Sequence, residues 1–402
     1  MFYGWIIAAS ALFALFVTNG LTIGGLTVFD EQLLREFGWS RGALKLRDFI
    51  QFALAGALAP LAGALADRFG IRPLLLVGAS LTGVCIALYS RIQSAGHMYA
   101  LHALFAAALA AAGLVVNVML VSRWFVARRG TAIGIALVGT SLGGMVLPPV
   151  GTALIAALGW RGAFLALSAL PALLVLVVLF VVRDDPARMG LAPLGAAGGG
   201  AGAGPVSASG VPYAEAVRTR TFWAIATIAM MTFYSILGVS AHLFLHLRGL
   251  GFAPPQAARG IALLFGMGLV GKFLWGYLAD VLDRRLVFLT NLGVMLLGSL
   301  CLASLSPGLF WPFVVLFGVG WGGLYTMLQL LTMDSFGLRD SGKILGTITI
   351  LDAVGGGLGP WITGLLFDRA GSYAPAFWLV AGLVAVSLLI GSTLTTSRAS
   401  PA

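Results

Sequence analysis

The chain has 402 residues, 59% hydrophobic and 9% charged, with a mean hydropathy of +1.00. Soluble domains carry about 25% charged residues, so 24 Lys+Arg and 14 Asp+Glu cannot clothe a water-soluble body of this length. The composition excludes a soluble enzyme or secreted module and specifies an integral membrane protein. The net charge of +10 is scattered in ones and twos between apolar runs, as topology charges are, so no nucleic-acid partner is expected.

A membrane span needs roughly 20 apolar residues. Charges and Gly/Pro clusters mark off runs near 4–28, 42–65, 73–92, 98–122, 130–157 and 162–182, then 221–246, 257–279, 286–305, 308–333, 343–367 and 374–395. The first has no basic flank and exceeds signal-peptide length, so it reads as a membrane helix. Twelve spans in two groups of six predict an all-α membrane protein built as two pseudo-symmetric six-helix bundles. The predicted bundles are 1–185 and 221–402, joined by a Gly/Ala-rich linker over 186–220. The run from Gly195 to Gly204 has no apolar period and nothing to pack.

Lys and Arg favour one set of connections, those holding Arg68, Arg72, Arg123, Arg128, Arg129, Arg284 and Arg285 among others, by roughly two to one. The positive-inside rule then places both termini and the linker in the cytoplasm. The Ala- and Arg-rich composition suits a bacterial inner membrane. Cys85 and Cys301 sit inside apolar runs and make neither a disulfide framework nor a metal site.

The halves repeat each other. Gly63-Ala-Leu-Ala-Asp67 followed by Arg72 recurs as Gly276-Tyr-Leu-Ala-Asp280 followed by Arg285; Gly143, Gly144 and Pro148 recur as Gly355, Gly356 and Pro360. Parallel six-helix repeats are a transporter architecture with the substrate near mid-bilayer.

The stretch Gly63-Ala-Leu-Ala-Asp67-Arg68-Phe-Gly70-Ile-Arg72-Pro resembles the loop between the second and third helices of the major facilitator superfamily, and the copy at Gly276–Arg285 sits where that family repeats it. The resemblance implies a conformational latch formed by Gly63, Asp67, Arg68, Arg72, Gly276, Asp280 and Arg285, weaker in the second copy, where Val281 replaces the arginine. Glycine there is expected to let two helices close up.

A finer resemblance is to the monocarboxylate and oxalate–formate branch. It rests on Tyr3-Gly4-Trp5, Phe37-Gly38-Trp39-Ser40-Arg41-Gly42, Arg129-Gly130 and Gly159-Trp160-Arg161. That branch carries a cation four residues before the glycine that starts the loop after the eighth helix, which here is Lys272. Monocarboxylate carriers commonly place an acid one turn earlier, where this chain has Gly268.

Ionisable groups at bilayer depth cost about 2.5–3.5 kcal/mol on insertion scales and default to function. At a rise of about 1.5 Å per residue, Lys272 lies roughly 12 Å in from Asp280, and Asp352 about 13 Å in from Lys343. The two share a level near the midplane. Their helices, the eighth and eleventh, resemble the family's cavity-lining helices, which implies an ion pair facing a central cavity, with Lys272 binding a carboxylate and Asp352 carrying the coupled proton. A purely structural bridge is the competing reading.

Lys45, Arg47 and Asp48 in the second span read either as snorkelling side chains, with Lys45 and Asp48 paired at i, i+3, or as an anion-attracting outer vestibule. Asn117, Tyr234 and Tyr325 are candidate substrate contacts because the resemblance implies that their helices line the pore, against interhelical hydrogen bonding; Asn291 and Gln329 are weaker candidates. His242 and His246 lie one turn apart and read as interfacial.

No nucleotide-binding, triad or zinc pattern occurs, so no enzyme activity, cofactor or metal is expected. These features predict a monomeric secondary carrier in the lipid bilayer that moves a small organic anion, a monocarboxylate, together with H+. A proton-driven exporter of amphipathic compounds is the alternative, and a non-transporting sensor would not need the buried charges.

Overall fold

The computed structural model describes residues 2–195, 210–304, 306–337 and 339–394. Among them the apolar runs fold as α1 Gly4–Phe37, α2 Arg41–Phe69, α3 Ile71–Tyr89, α4 Ala95–Trp124, one long run Arg129–Phe180, α7 Arg220–Gly249, α8 Pro254–Val281, α9 Arg284–Ala303, α10 Phe310–Phe336, α11 Ser341–Ala370 and α12 Ala374–Thr393. The long run is broken at Gly159, whose φ of 69° and ψ of 166° are not helical. Only a residue without Cβ enters that region cheaply. The break yields α5 (129–158) and α6 (160–180), so the described residues form the expected twelve long helices. Large apolar side chains point outward, Phe180 71% and Leu389 67% exposed, as a chain solvated by acyl tails requires.

The first helix is longer than its apolar run. The backbone passes through a π-helical segment at Gly20–Gly24 and a 3-10 segment at Gly25–Phe29, then resumes as α-helix over Asp30–Phe37. A Cβ added to Gly20 would lie 2.6 Å from Gly143 Cα. Two glycines therefore allow α1 and α5 to touch backbone to backbone. The same device recurs in the second repeat, where a Cβ on Gly355 would lie 2.1 Å from the Met230 carbonyl oxygen, between α11 and α7.

The chain divides into two compact units: residues up to 199 with Ser240–Ala262, and Gly200–Val239 with the rest from Leu263. The ends of α7 and α8 that flank their connecting loop thus group with the first unit, although sequence repetition assigns them to the second half.

There is no sheet among the described residues. Apart from Gly195, the Gly195–Gly204 run lies outside them. Both ends of the linker are ordered, a refinement of the reading that nothing there packs. Pro186–Met189 is a 3-10 turn, and Leu194 N–H donates to Trp124 O at 2.9 Å. Val211 N–H donates to Phe336 O at 2.8 Å ahead of a short helix at Tyr213–Ala216. Each end is pinned to the terminus of the corresponding helix of its repeat, α4 or α10.

Candidate functional site

In the second unit, α7, α10 and α11 enclose a cavity of about 50 Å³ whose polar lining is Tyr325, Gln329, Thr332, Thr349 and Asp352. That is room for a water or two. Asp352 is 8% exposed, with the Tyr325 phenol as an electrostatic neighbour and the Gln329 amide hydrogen-bonded to that phenol. The spacing explains the cluster: Tyr325 and Gln329 are one turn apart on α10, and Thr349 and Asp352 three apart on α11.

Lys272 approaches the same helix from α8. A Cβ added to Gly322 would lie 2.8 Å from the Lys272 backbone nitrogen and 2.1 Å from Gly268 O. Gly268, standing where an acid was anticipated from the family, is therefore part of the α8–α10 contact. The ion pairs that the structure describes within this unit are Arg284–Asp334 at 2.6 Å and Lys343–Asp340 at 3.6 Å. Lys272 and Asp352 lie against α10 on different helices, and the neighbours described for Asp352 are Tyr325 and the cavity wall.

The neutral candidates divide. Tyr325 lines the cavity. Tyr234 is buried against Thr363 of α11, at the level where a Cβ on Gly359 would lie 2.2 Å from the Tyr234 carbonyl oxygen. Asn117 is fully buried, and its amide donates to Ala112 O and Gly113 O, both at 2.9 Å. The α4 break falls at Gly113, with φ −86° and ψ −157°, and Gly113 O also accepts the Asn117 backbone N–H at 3.3 Å. The Asn117 amide nitrogen thus bridges a helix break, while its buried Oδ1 has no hydrogen-bond partner.

The Lys45–Arg47–Asp48 group is neither snorkelling nor an open vestibule. Lys45 and Arg47 are 0% and 1% exposed, because both engage Asp30, which heads the resumed helix of α1. Lys45 Nζ stands 2.6 Å from Asp30 Oδ2, and an Arg47 guanidinium nitrogen donates to Asp30 Oδ1. Asp48 is the looser member, 3.6 Å from Lys45 and 3.5 Å from Arg47. The expected i, i+3 contact is present, inside a larger network. Arg47 also donates to Tyr89 Oη at 3.2 Å, which meets His102 Nε2 at 3.1 Å. Asp30, Tyr89 and His102 were not legible as site residues. Asp30 falls where the apolar run stops, and nothing in the order of residues signals that its side chain turns inward.

Beside Asp30, Glu31 faces the other way. It accepts from Arg248 at 2.7 and 2.9 Å and from Arg35 at 2.7 Å. A mostly apolar cavity of about 480 Å³ opens next to this pair, lined by Val28, Pro149, Trp160, Phe244 and Arg259. His242 and His246 are both buried within the protein.

The latch residues split by role. The Arg72 backbone N–H donates to Asp184 at 2.5 Å, and its side chain to Val178 O at 3.2 Å and to Leu179 O. Arg285 reaches Ser392 O at 2.5 Å. Each arginine thus caps the carbonyl end of the last helix in its repeat, a favourable place for a cation. Asp67 is 3.7 Å from Arg123 with its side chain 73% exposed, while Arg68 lies over the Phe69 ring and Asp280 is exposed. A Cβ on Gly63 or Gly276 would meet nothing within 4 Å. The expectation that these glycines allow close helix contact is not met in this conformation.

Twelve apolar helices in a repeated arrangement, with costly ionisable groups held at depth, define a membrane carrier. The chain matches the Major Facilitator Superfamily over residues 5–360 and 261–402 and belongs to that family. It is similar to monocarboxylate transporter 13 of Bos taurus, 29% identical with 97% of this chain and 88% of the relative covered. It is also similar to monocarboxylate transporter 11 of Mus musculus, at 27% over 95% and 85%. Among solved structures, a bacterial homolog of the human lysosomal transporter Spinster superposes with a TM-score of 0.74 at 20% identity, covering 100% of this chain and 99% of that one. That likeness concerns the fold. The protein is a multi-pass, non-enzymatic secondary transporter of a small solute.

Proposed function

We propose that the solute is a small organic anion, a monocarboxylate, carried with a proton by alternating access. The observation that carries the reading is the placement of Asp352 in a polar cavity with Tyr325 and Gln329, one helix away from Lys272. The similarity to transporters named for monocarboxylates supports it.

Lys272 supplies a point charge for the substrate carboxylate. Asp352, in a low-dielectric wall, takes up a proton as the anion arrives, so the loaded site is neutral and free to cross. Tyr325 donates to whichever oxygen is left, and Tyr234 stiffens the α7–α11 contact behind the site. The arginines and acids at Gly63–Arg72 and Gly276–Arg285 latch the two ends of the cycle. The carrier acts as a monomer in a bacterial inner membrane, with its termini and linker cytoplasmic, the arrangement the Lys/Arg bias supports.

Purified protein in liposomes should take up radiolabelled lactate, pyruvate or oxalate saturably, faster when the outside is acidic. Lys272→Ala should lower that uptake at least tenfold. Efflux of cationic dyes with no uptake of any of the three acids would overturn the anion reading in favour of an exporter.

A further inference from the structure

The cavity beside Glu31 in the first unit has no part in the proposed transport cycle. Its volume, about 480 Å³, falls in the range of small-molecule sites, about 300–1,000 Å³. Pro149, Ala153 and Ala156 recur along one face of α5, and Val28 of α1, Phe244 of α7 and Pro255 of α8 complete an apolar wall. Trp160 is a fixed part of that wall. Its indole N–H donates to Glu36 Oε2 at 2.6 Å, and the Arg161 guanidinium lies 4.0 Å over its ring. Walls of this kind take an apolar body, and the area it hides from water supplies the affinity.

The polar groups decide what that body must carry. Glu31 is shared by Arg248 and Arg35, and Arg161 takes Glu36 at 2.7 Å. Arg259 lines the cavity, is exposed, and has no ion-pair partner among the described residues. Residues 129–183 and 240–262 contain neither Asp nor Glu to offer it one. Arg35, Arg161, Arg248 and Arg259 thus answer to Glu31 and Glu36 alone, and the balance is positive. Thr152 is a second, independent sign. It is 7% exposed and lines the cavity, yet its Oγ1 has no hydrogen-bond partner. Helical threonines ordinarily donate to the carbonyl one turn back, as Thr18 does to Ala14 O at 2.8 Å and Thr22 to Thr18 O at 2.7 Å. A buried hydroxyl left over in this way calls for a partner that the chain does not supply.

We propose that this cavity is a second ligand site, separate from the one that handles the transported solute, and that it binds a medium-chain fatty acid. Arg259 and the Thr152 hydroxyl are the donors left for the carboxylate, a charge-assisted pairing at the arginine. The chain lies along α5 against Phe244 and Trp160. A methylene fills about as much space as a water, roughly 30 Å³. One chain of about ten carbons therefore fits with its head, and the two chains of a phospholipid do not. Binding forms no covalent bond and moves no proton. Every lining residue belongs to the first unit, so the site does not depend on the substrate reading, which rests on Lys272 and Asp352 in the second.

The test is photolabelling of the full chain in phosphatidylcholine nanodiscs with decanoic acid bearing a diazirine near its methyl end, the labelled peptides being mapped by mass spectrometry. Labelling should saturate and concentrate in residues 149–160 and 254–259. Unlabelled decanoate should compete for it, and decanol, the same chain without the charge, should compete about tenfold less well. Arg259→Gln, at an exposed position, should weaken labelling about tenfold, and Thr152→Val by a smaller factor. Ala156→Trp, also at an exposed position, should block it by filling the cavity. Lys272→Ala removes the charge proposed to hold the transported acid and should leave the labelling as it is. Labelling spread evenly over the helices, equal competition by decanol, loss of labelling in Lys272→Ala, or indifference to Arg259→Gln and Ala156→Trp would each overturn the proposal. Displacement of the probe by phosphatidylglycerol as readily as by decanoate would overturn it in favour of a bilayer lipid.

Discussion

The two units solve the problem of intramembrane charge differently. In the first, Asp30, Lys45 and Arg47 are sealed and mutually paired, so each ion depends on the others. In the second, Asp352 lies in a small polar cavity whose other polar walls are neutral, with room beside it. A cluster of mutually paired buried ions resists change and suits holding a helix in place. A carboxyl group with neutral neighbours and space suits exchange of a proton or a ligand. The same fold, duplicated, has kept its glycine contacts in both copies and let its charges diverge.

Breaking the sealed side should have the largest effect. Asp30→Asn leaves Lys45 and Arg47 with Asp48 alone, and stranding a partner of a buried ion pair costs about 3–5 kcal/mol. The expected outcome is a sharply lowered thermal midpoint in detergent or loss of folded protein, read by fluorescence-detected size exclusion. A variant as stable as the wild type would show that the network is not what secures α1.

A smaller effect is expected where a neutral group satisfies backbone. Asn117→Leu removes both donors to the α4 break, and unmade buried hydrogen bonds cost about 1–3 kcal/mol. Thermal stability should fall by that order while the KM for the transported acid stays within twofold. A large KM change with unaltered stability would return Asn117 to the substrate site.

The smallest effect concerns the linker. The Asp340 carboxylate accepts the Tyr213 backbone N–H at 2.9 Å. That bond, aided by Lys343, holds its carboxyl below the usual carboxylate range. A depressed folded-state value means the stabilisation is present above the ordinary aspartate range and is lost as pH falls through the depressed one. Asp340→Ala should therefore speed amide exchange over residues 211–216 at neutral pH, and wild type and variant should converge in strong acid. Equal exchange at neutral pH would show that the tether lies elsewhere.

Much of the fold was legible because lipid imposes one rule on every span: a helix needs enough apolar residues and no free backbone groups. The apolar runs therefore mapped to helix bounds within a few residues, except at α1, where the charges of Asp30–Phe37 ended the run and the helix went on. That extension is invisible to hydropathy, since Asp30 is tolerated only through Lys45 and Arg47 on another helix. The distances of Lys272 and Asp352 along their helices follow from helical rise, but their azimuth does not. Rotation about a helix axis is set by glycine contacts such as Gly322 against Lys272 N, and these depend on which helices are neighbours. For the same reason the hydrogen bonds that the break at Gly113 gives the Asn117 amide nitrogen are not written in the order of residues.

The central claim, that Asp352 carries the proton coupled to anion movement, is tested most directly by comparing two modes of transport in Asp352→Asn. Counterflow exchange of labelled acid across a membrane without a pH gradient should persist, while stimulation of uptake by an acidic exterior should disappear. Gradient-stimulated uptake of wild-type size in this variant would contradict the account.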